Sequence, residues 1–341
     1  MLKRLLKIFK SEIWQLPSRT ILFIGCIFIV LLPLFTQEPF FLRIVIMACI
    51  FAIYAASWDL LSGFAGQLSL GHALFFGVGA YITAFLNIYL NFSPWLSIPL
   101  GALVAVAVGL IGGIPSLRLK GIYLSLVTLA LPIILTSIVF AFPEITGGEL
   151  GLWGVDRLAS TRTIEYYLVL IVMLISCFAM WKIVDSKIGI VFHAIRGDEI
   201  AARASGINTT KFKLIAFSLS GFFAGLSGGL LAHFLRIAGP STLELMTSFQ
   251  PIIWTIFGSV ATIYGAVVGT FILYPIMEVL QLIPGLRMLI YGLIVLIILR
   301  FMPSGIVNWV VDRIENECPR CKNQNAKTRK QCRICNAKID H

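Results

Sequence analysis

GFAGQLSLGHALFFGVGAY, residues 63–81, sets Gln67, Ser69 and His72 among five glycines, between apolar runs long enough to lie in a bilayer. Bare polar groups are expensive at that depth, so something must compensate for them. Glycine lets backbones approach closely and lets a helix break, and a broken helix is tolerated where it is buried in protein or lines a watered cavity. The stretch is therefore a candidate translocation element, with Gly63, Gly66, Gln67, Ser69, Gly71 and His72 on the pathway. A second reading stays open on the residues alone: the glycines serve helix packing and the polar groups bond neighbouring helices.

Working outward, the 341 residues are 58% hydrophobic with a mean hydropathy of +0.93 and only 13% charged residues, against about 25% in soluble domains. This excludes a soluble domain and predicts an all-α polytopic membrane protein. The net charge of +11 does not point to nucleic acid, because most basic residues fall in short segments between apolar runs. Residues 1–19 carry Lys3, Arg4, Lys7 and Lys10 before the run Ile21–Phe35, and no small-residue cleavage site follows, so the first helix is expected to be retained. Cys26, Cys49 and Cys177 are isolated in apolar runs and read as packing residues.

Windows of about 20 residues predict helices near 20–36, 41–61, 72–90, 95–114, 121–142, 164–184, 213–235, 249–263, 266–281 and 287–302, ten in all, or as few as eight. Residues 249–281 read equally as one long span, a re-entrant pair or two short helices. An even count puts both termini on the cytoplasmic side of the cell membrane, together with Arg118, Lys120, Lys182, Lys187, Arg196, Arg203, Lys211 and Lys213. Only Arg43, Arg157, Arg162, Arg236 and Arg287 then face outward, as the positive-inside rule requires. The outer loop 143–163 contains TGGELGLWGV, whose Thr146, Gly147 and Gly148 suit a turn at the interface or a cap over a pathway. On the other side, Ser186–Ile207 is expected to be one amphipathic helix, with Ile188, Phe192, Ile195 and Ile200 on one face. A faint echo links SGFAGQLSLGHALFF at 62–76 with SGFFAGLSGGLLAHF at 220–234. No G-x-x-x-x-G-K-[ST] phosphate loop occurs, so the chain carries no sequence signal for binding nucleotide.

After Pro303 the composition changes. Cys318-Pro319-Arg320-Cys321 and Cys332-Arg333-Ile334-Cys335 form two C-x-x-C pairs separated by ten residues. Four thiolates at this spacing suit one tetrahedral zinc in a small ribbon, a structural site with no position left for catalytic water. Disulfides are the alternative, disfavoured in a reducing cytoplasm. Asn336, just past the second knuckle, suits the left-handed turn such sites need. The tail's basic residues could meet membrane lipid, a cytoplasmic partner subunit or nucleic acid, in that order, with no nucleic acid expected.

GFAGQLSLGHALFFGVGAY, TGGELGLWGV, AIRGDEIAARASGINTTKFKLIAFSLSGFFAGLSGGL at 194–230 and YGLIVLIILRFMPSGI at 291–306 together resemble the M-type permease of branched-chain amino acid ABC importers, over about residues 40–306. The resemblance implies an importer in which two related permeases form the pathway, two cytoplasmic ATPases hydrolyse ATP, and an external binding protein delivers the substrate. This chain would be the non-enzymatic permease, carrying branched-chain amino acids or a related amino acid, urea or amide. The family also implies a coupling helix, which by position holds Arg196, Glu199, Ala201, Ala202 and Gly206. Two departures stand out: Asp59 where the family usually has an amide, and Phe257-Gly258-Ser259-Val260-Ala261-Thr262 in place of a GGxG sequence. The expected division is a cytoplasmic segment 1–19, a transmembrane permease domain 20–306 with coupling region 186–210, and a zinc-ribbon-like tail 307–341. The competing reading is an ion- or proton-coupled carrier of a small polar solute, suggested by Asp59, His72, His233 and Glu278 in or beside apolar runs. A membrane enzyme ranks lowest, since no nucleophile–base pair appears in the spans.

Overall fold

A computed structural model describes residues 17–36, 38–116, 121–282, 285–321, 324–327, 329, 331, 332, 335, 337 and 338. The basic residues at positions 3, 4, 7 and 10, with Arg118, Lys120 and Asn336, lie outside the described residues. Helix α1 is Pro17–Phe35, and α2, Pro39–Trp58, runs straight into a π turn, Asp59–Phe64. An extended stretch follows before α3, Ala73–Leu90, then α4, Pro94–Ser116, and α5, Ile122–Ala141. A short α6, Pro143–Thr146, leads through strand β1, Leu152–Trp153, to α7, Arg162–Val184. Next come α8, Lys187–Gly197, α9, Glu199–Ala204, and the long α10, Thr209–Leu235. Strand β2, Ile237–Ala238, pairs antiparallel with β1 and ties the two loops at that end of the bundle. The chain closes with α11, Leu245–Gly258, α12, Ile263–Val279, α13, Arg287–Phe301, α14, Ile306–Ile314, and a ribbon of β3, Glu315–Glu317, and β4, Gln324–Ala326.

All ten predicted apolar segments are helical. Among the described residues six helices are long and apolar enough to cross a membrane, and the pair α11–α12 adds a seventh if its two arms, bent by 108°, count as one span. Apolar helices all round belong inside a bundle, and α2 fits this: 78% of its most apolar window is buried, against 28% for α5 and for α7. Small residues set the spacing around it. A Cβ on Gly228 of α10 would lie 1.9 Å from the Phe76 carbonyl oxygen of α3, so those backbones touch directly. The two echoing segments thus pack on each other, but they are not structural repeats: 220–234 is unbroken helix and 62–76 is not.

Prolines inside helices leave carbonyls without their usual N–H partner, and neighbouring tyrosines supply one. Pro33 frees the carbonyl of Ile29, which accepts from Tyr166 Oη; Pro251 frees that of Thr247, which accepts from Tyr54 Oη at 3.1 Å. The amphipathic segment departs from expectation. Asp198 accepts from the N–H groups of Ile200 (2.7 Å) and Ala201 (3.1 Å), ending α8 and capping α9, so the predicted single helix is two. Phe192 and Ile195 are buried as predicted, whereas the break turns Ile200 outward, 73% exposed.

Candidate translocation site

The break between α2 and α3 strips several backbone groups of helical partners, and side-chain hydroxyls and an indole replace them. Ser62 Oγ donates to the Gln67 carbonyl (2.9 Å) and accepts from the Ser69 N–H (3.3 Å). Trp58 Nε1 donates to the Ser69 carbonyl at 2.7 Å. From α5, Ser125 Oγ donates to the Leu68 carbonyl (3.0 Å) and Thr128 Oγ1 accepts from Leu70 N–H (3.2 Å). From α11, Ser248 Oγ accepts from Ala73 N–H at 3.2 Å. A backbone so satisfied can remain non-helical inside an apolar bundle. Pro132 also leaves the Thr128 carbonyl without a helical donor, and Gly71 sits against it: a Cβ there would lie 1.7 Å from that oxygen.

The side chains of the break are buried but incompletely paired. Gln67 Nε2 donates to the Lys213 carbonyl at 3.3 Å while its Oε1 has no partner. His72 Nε2 lies 2.9 Å from Ser57 Oγ, its ring stacks on Tyr54, and Nδ1 is unpartnered. Ser69 is buried, and its polar role here is carried by its backbone. Gly66, at φ +68°, adopts the left-handed conformation and seats its backbone on Arg196 of α8; a Cβ would come within 3.0 Å of Arg196 Cα. Phe64 meets the ring of His193 edge-on. The break and the amphipathic segment are thus in direct contact.

Glu199 braces that contact. Its carboxylate pairs with Lys213 (2.8 Å) and Arg203 (3.0 Å), and Thr209 Oγ1 donates to it at 3.3 Å. Among the proposed coupling residues, Ala202 is buried, Arg196 and Ala201 are exposed, and Gly206 makes the turn into α10 at φ +84°.

Asp59 is fully buried in the π turn. Its Oδ1 accepts from Ala261 N–H at 2.7 Å, in the α11–α12 bend, and Oδ2 has no partner. Gly63 makes this reach possible, because a Cβ there would lie 1.9 Å from Asp59 Oδ1. At the far end of the bundle, Thr146 Oγ1 donates to the Val139 (2.7 Å) and Phe142 (2.9 Å) carbonyls, and Gly147 and Gly148 follow with positive φ. This is a pinned turn. His233 is engaged on both ring nitrogens, by Ser97 Oγ (3.0 Å) and the Asp156 carbonyl (2.8 Å), and Glu278 meets Arg43 at 3.6 Å.

In the tail, the sulfurs of Cys318, Cys321, Cys332 and Cys335 lie within 4.8 Å of one another. Cys318 and Cys335 are 3.6 Å apart and Cys321 and Cys332 3.5 Å, and no disulfide links them. Sulfurs about 2.3 Å from a tetrahedral zinc stand ~3.8 Å apart, so the cluster fits a metal. The Cys321 and Arg320 backbone amides hold the Cys318 thiol below its ordinary range, against desolvation by burial.

Ser62, Ser125, Thr128, Ser248 and Trp58 were not singled out by sequence reasoning. Their signal was present as four hydroxyls and an indole in otherwise apolar runs, unreadable without knowing which helix faces the break.

The family model described as branched-chain amino acid transport system / permease component matches residues 40–299. The chain is similar to the high-affinity branched-chain amino acid transport system permease protein LivM of Salmonella typhimurium, 28% identical over 309 residues, 82% of this chain and 73% of that one. It is similar to LivM of Escherichia coli at 27% over 290 residues, 76% of this chain and 68% of that one. A shorter similarity, 34% over 71 residues, 21% of this chain and 22% of the relative, is to the ribose import permease protein RbsC of Haemophilus influenzae. No solved structure matches the chain.

Proposed function

Because the chain belongs to the branched-chain amino acid transport permease family, we propose that it is the membrane subunit of an ATP-driven importer for branched-chain amino acids or a related amino acid, urea or amide. The ATPases are separate subunits on the side of α8 and α9, both termini lie on that cytoplasmic side, and a second permease completes the pathway. An external binding protein delivers the substrate. The observation that carries the reading is the contact of Gly66 with Arg196: the polar break rests on the segment an ATPase would move. Each nucleotide state would then favour one arrangement of the break, a population shift passed through that contact. Gly63, Gly66, Gln67, Ser69, Gly71 and His72 line the route, with Gln67 Oε1 and His72 Nδ1 as free polar atoms for a polar solute. Thr146, Gly147 and Gly148 act as a fixed outer rim. Arg196 and Ala201 form the docking face with Gly206 as its turn, while Glu199 and Ala202 hold it to the bundle.

The tail, residues 307–341, binds one structural zinc through its four thiolates, and its metal content is measurable by mass spectrometry of the purified protein. The importer reading is tested by reconstituting the chain with its sister permease and ATPases in vesicles. ATP-dependent uptake of an amino acid or amide is expected; none at all overturns the assignment. Asp59 Oδ2, buried and unpartnered, favours the second reading of an ion-coupled carrier. Gradient-driven uptake by this chain alone would select it.

A further inference from the structure

The tail and the turn just before it meet the rest of the membrane part at two places. Glu315, which ends α14 and opens β3, is 4% exposed, and its Oε1 accepts from both the N–H (3.1 Å) and the hydroxyl (2.6 Å) of Ser18 at the start of α1. The first amides of a helix lack internal partners and favour a negative charge, so Glu315 caps α1 from 297 positions away in sequence. At the other end of α14, Gly305, at φ +87°, lies on the α11–α12 bend, where a Cβ would come within 2.7 Å of Ser259 Cα.

Helix α1 packs Ile29 and Leu32 against the core. Ile21, Ile24, Phe28, Leu31, Leu34 and Phe35 are exposed, and its backbone is tied to the bundle by Tyr166 and Tyr167. Glu315 in turn is held by the ribbon. It pairs with Ala326, Lys327 N–H donates to the Ile314 carbonyl (3.0 Å), and Lys327 Nζ to that of Asp312 (2.9 Å). Asn325 Nδ2 donates to Cys332 Sγ at 3.6 Å, joining β4 to the cysteine cluster. The buried hydrophobic cluster described in the ribbon is Cys318 and Cys332, with Cys321, Cys335 and Ala337 packed against them. So small a core does not order itself, and metal binding becomes its folding free energy.

We propose that the four-cysteine site is a metal-loaded clasp: a soft divalent cation on the thiolates orders β3 and β4, fixes Glu315 on the N-terminus of α1, and holds α14 against the α11–α12 bend. The proposal rests on the tail's metal reading given above, and its test separates the two. The full chain, assembled with its partners in lipid nanodiscs, is followed by hydrogen exchange and metal analysis before and after treatment with a zinc chelator, then after zinc is returned. Metal loss is expected to speed exchange about tenfold or more at residues 18–22 and 305–317 as well as in the ribbon, and zinc to reverse it. Glu315→Ala should reproduce the effect at 18–22 with the metal content still one per chain. Faster exchange confined to 318–338 overturns the clasp and leaves the metal site standing. A native chain that holds no metal and takes up none overturns both.

Discussion

Among the described residues, the interruption between α2 and α3 joins two full spans and that between α11 and α12 bends a pair, and the two are made differently. Between the π turn that follows α2 and the start of α3 the gap is eight residues, 65–72, whose backbone groups are met by Trp58, Ser62, Ser125 and Thr128. Between α11 and α12 the gap is four residues, 259–262, and the arms close face to face: a Cβ on Gly258 would lie 1.9 Å from the Gly265 carbonyl oxygen. One break is held open by polar side chains, the other held shut by the absence of side chains. Asp59, in the π turn before the first gap, joins them by accepting from an amide in the second.

The sharpest way to break this contrast is to add bulk where backbones meet. Gly258→Leu and Gly71→Leu should each cost about 3 kcal/mol or more, since overpacking is worst where the obstacle is backbone. Loss of assembled protein on a sizing column, with uptake abolished, is the expected result; a normally assembled Gly258→Leu protein would show that the second break is open. Next is the joint. Asp59→Ala orphans the Ala261 amide and should lower stability by about 1–3 kcal/mol, read as a fall in melting temperature, whereas Asp59→Asn keeps an acceptor and should cost clearly less. Thr128→Val removes the acceptor for Leu70 N–H and should cost about 1–2 kcal/mol, with Thr128→Ser near neutral; equal melting temperatures for the two would mean that the hydroxyl is not used. Smallest is Ala261→Gly. Ala261 sits at φ +60°, so glycine should stabilise by up to about 1 kcal/mol, and a fall in melting temperature would contradict that geometry.

The first break was legible because polar residues and glycines coincide within one apolar run, and that coincidence has few explanations in a bilayer. The second was ambiguous, because Gly258, Gly265 and Gly269 serve a straight packed helix as well as a fold-back, and the acceptor that meets the bend's Ala261 amide, Asp59, stands 202 residues away. The α8–α9 boundary was missed for a local reason. Asp198 lies inside an unbroken amphipathic pattern, and whether it rides on a helix or caps the next one depends on its backbone angles. The four cysteines were legible from spacing alone. Their tie to Ser18 was not, since Glu315 is an ordinary acidic residue until the two ends of the chain meet.

The tyrosine hydroxyls that serve Ile29 and Thr247 carry a last implication. Each phenol gives an opened carbonyl the donor that proline denies it. Where Pro33 and Pro251 sit, the opened turn is therefore fastened to a neighbour, α1 to α7 and α11 to α2, at the point where each helix lacks its own bond.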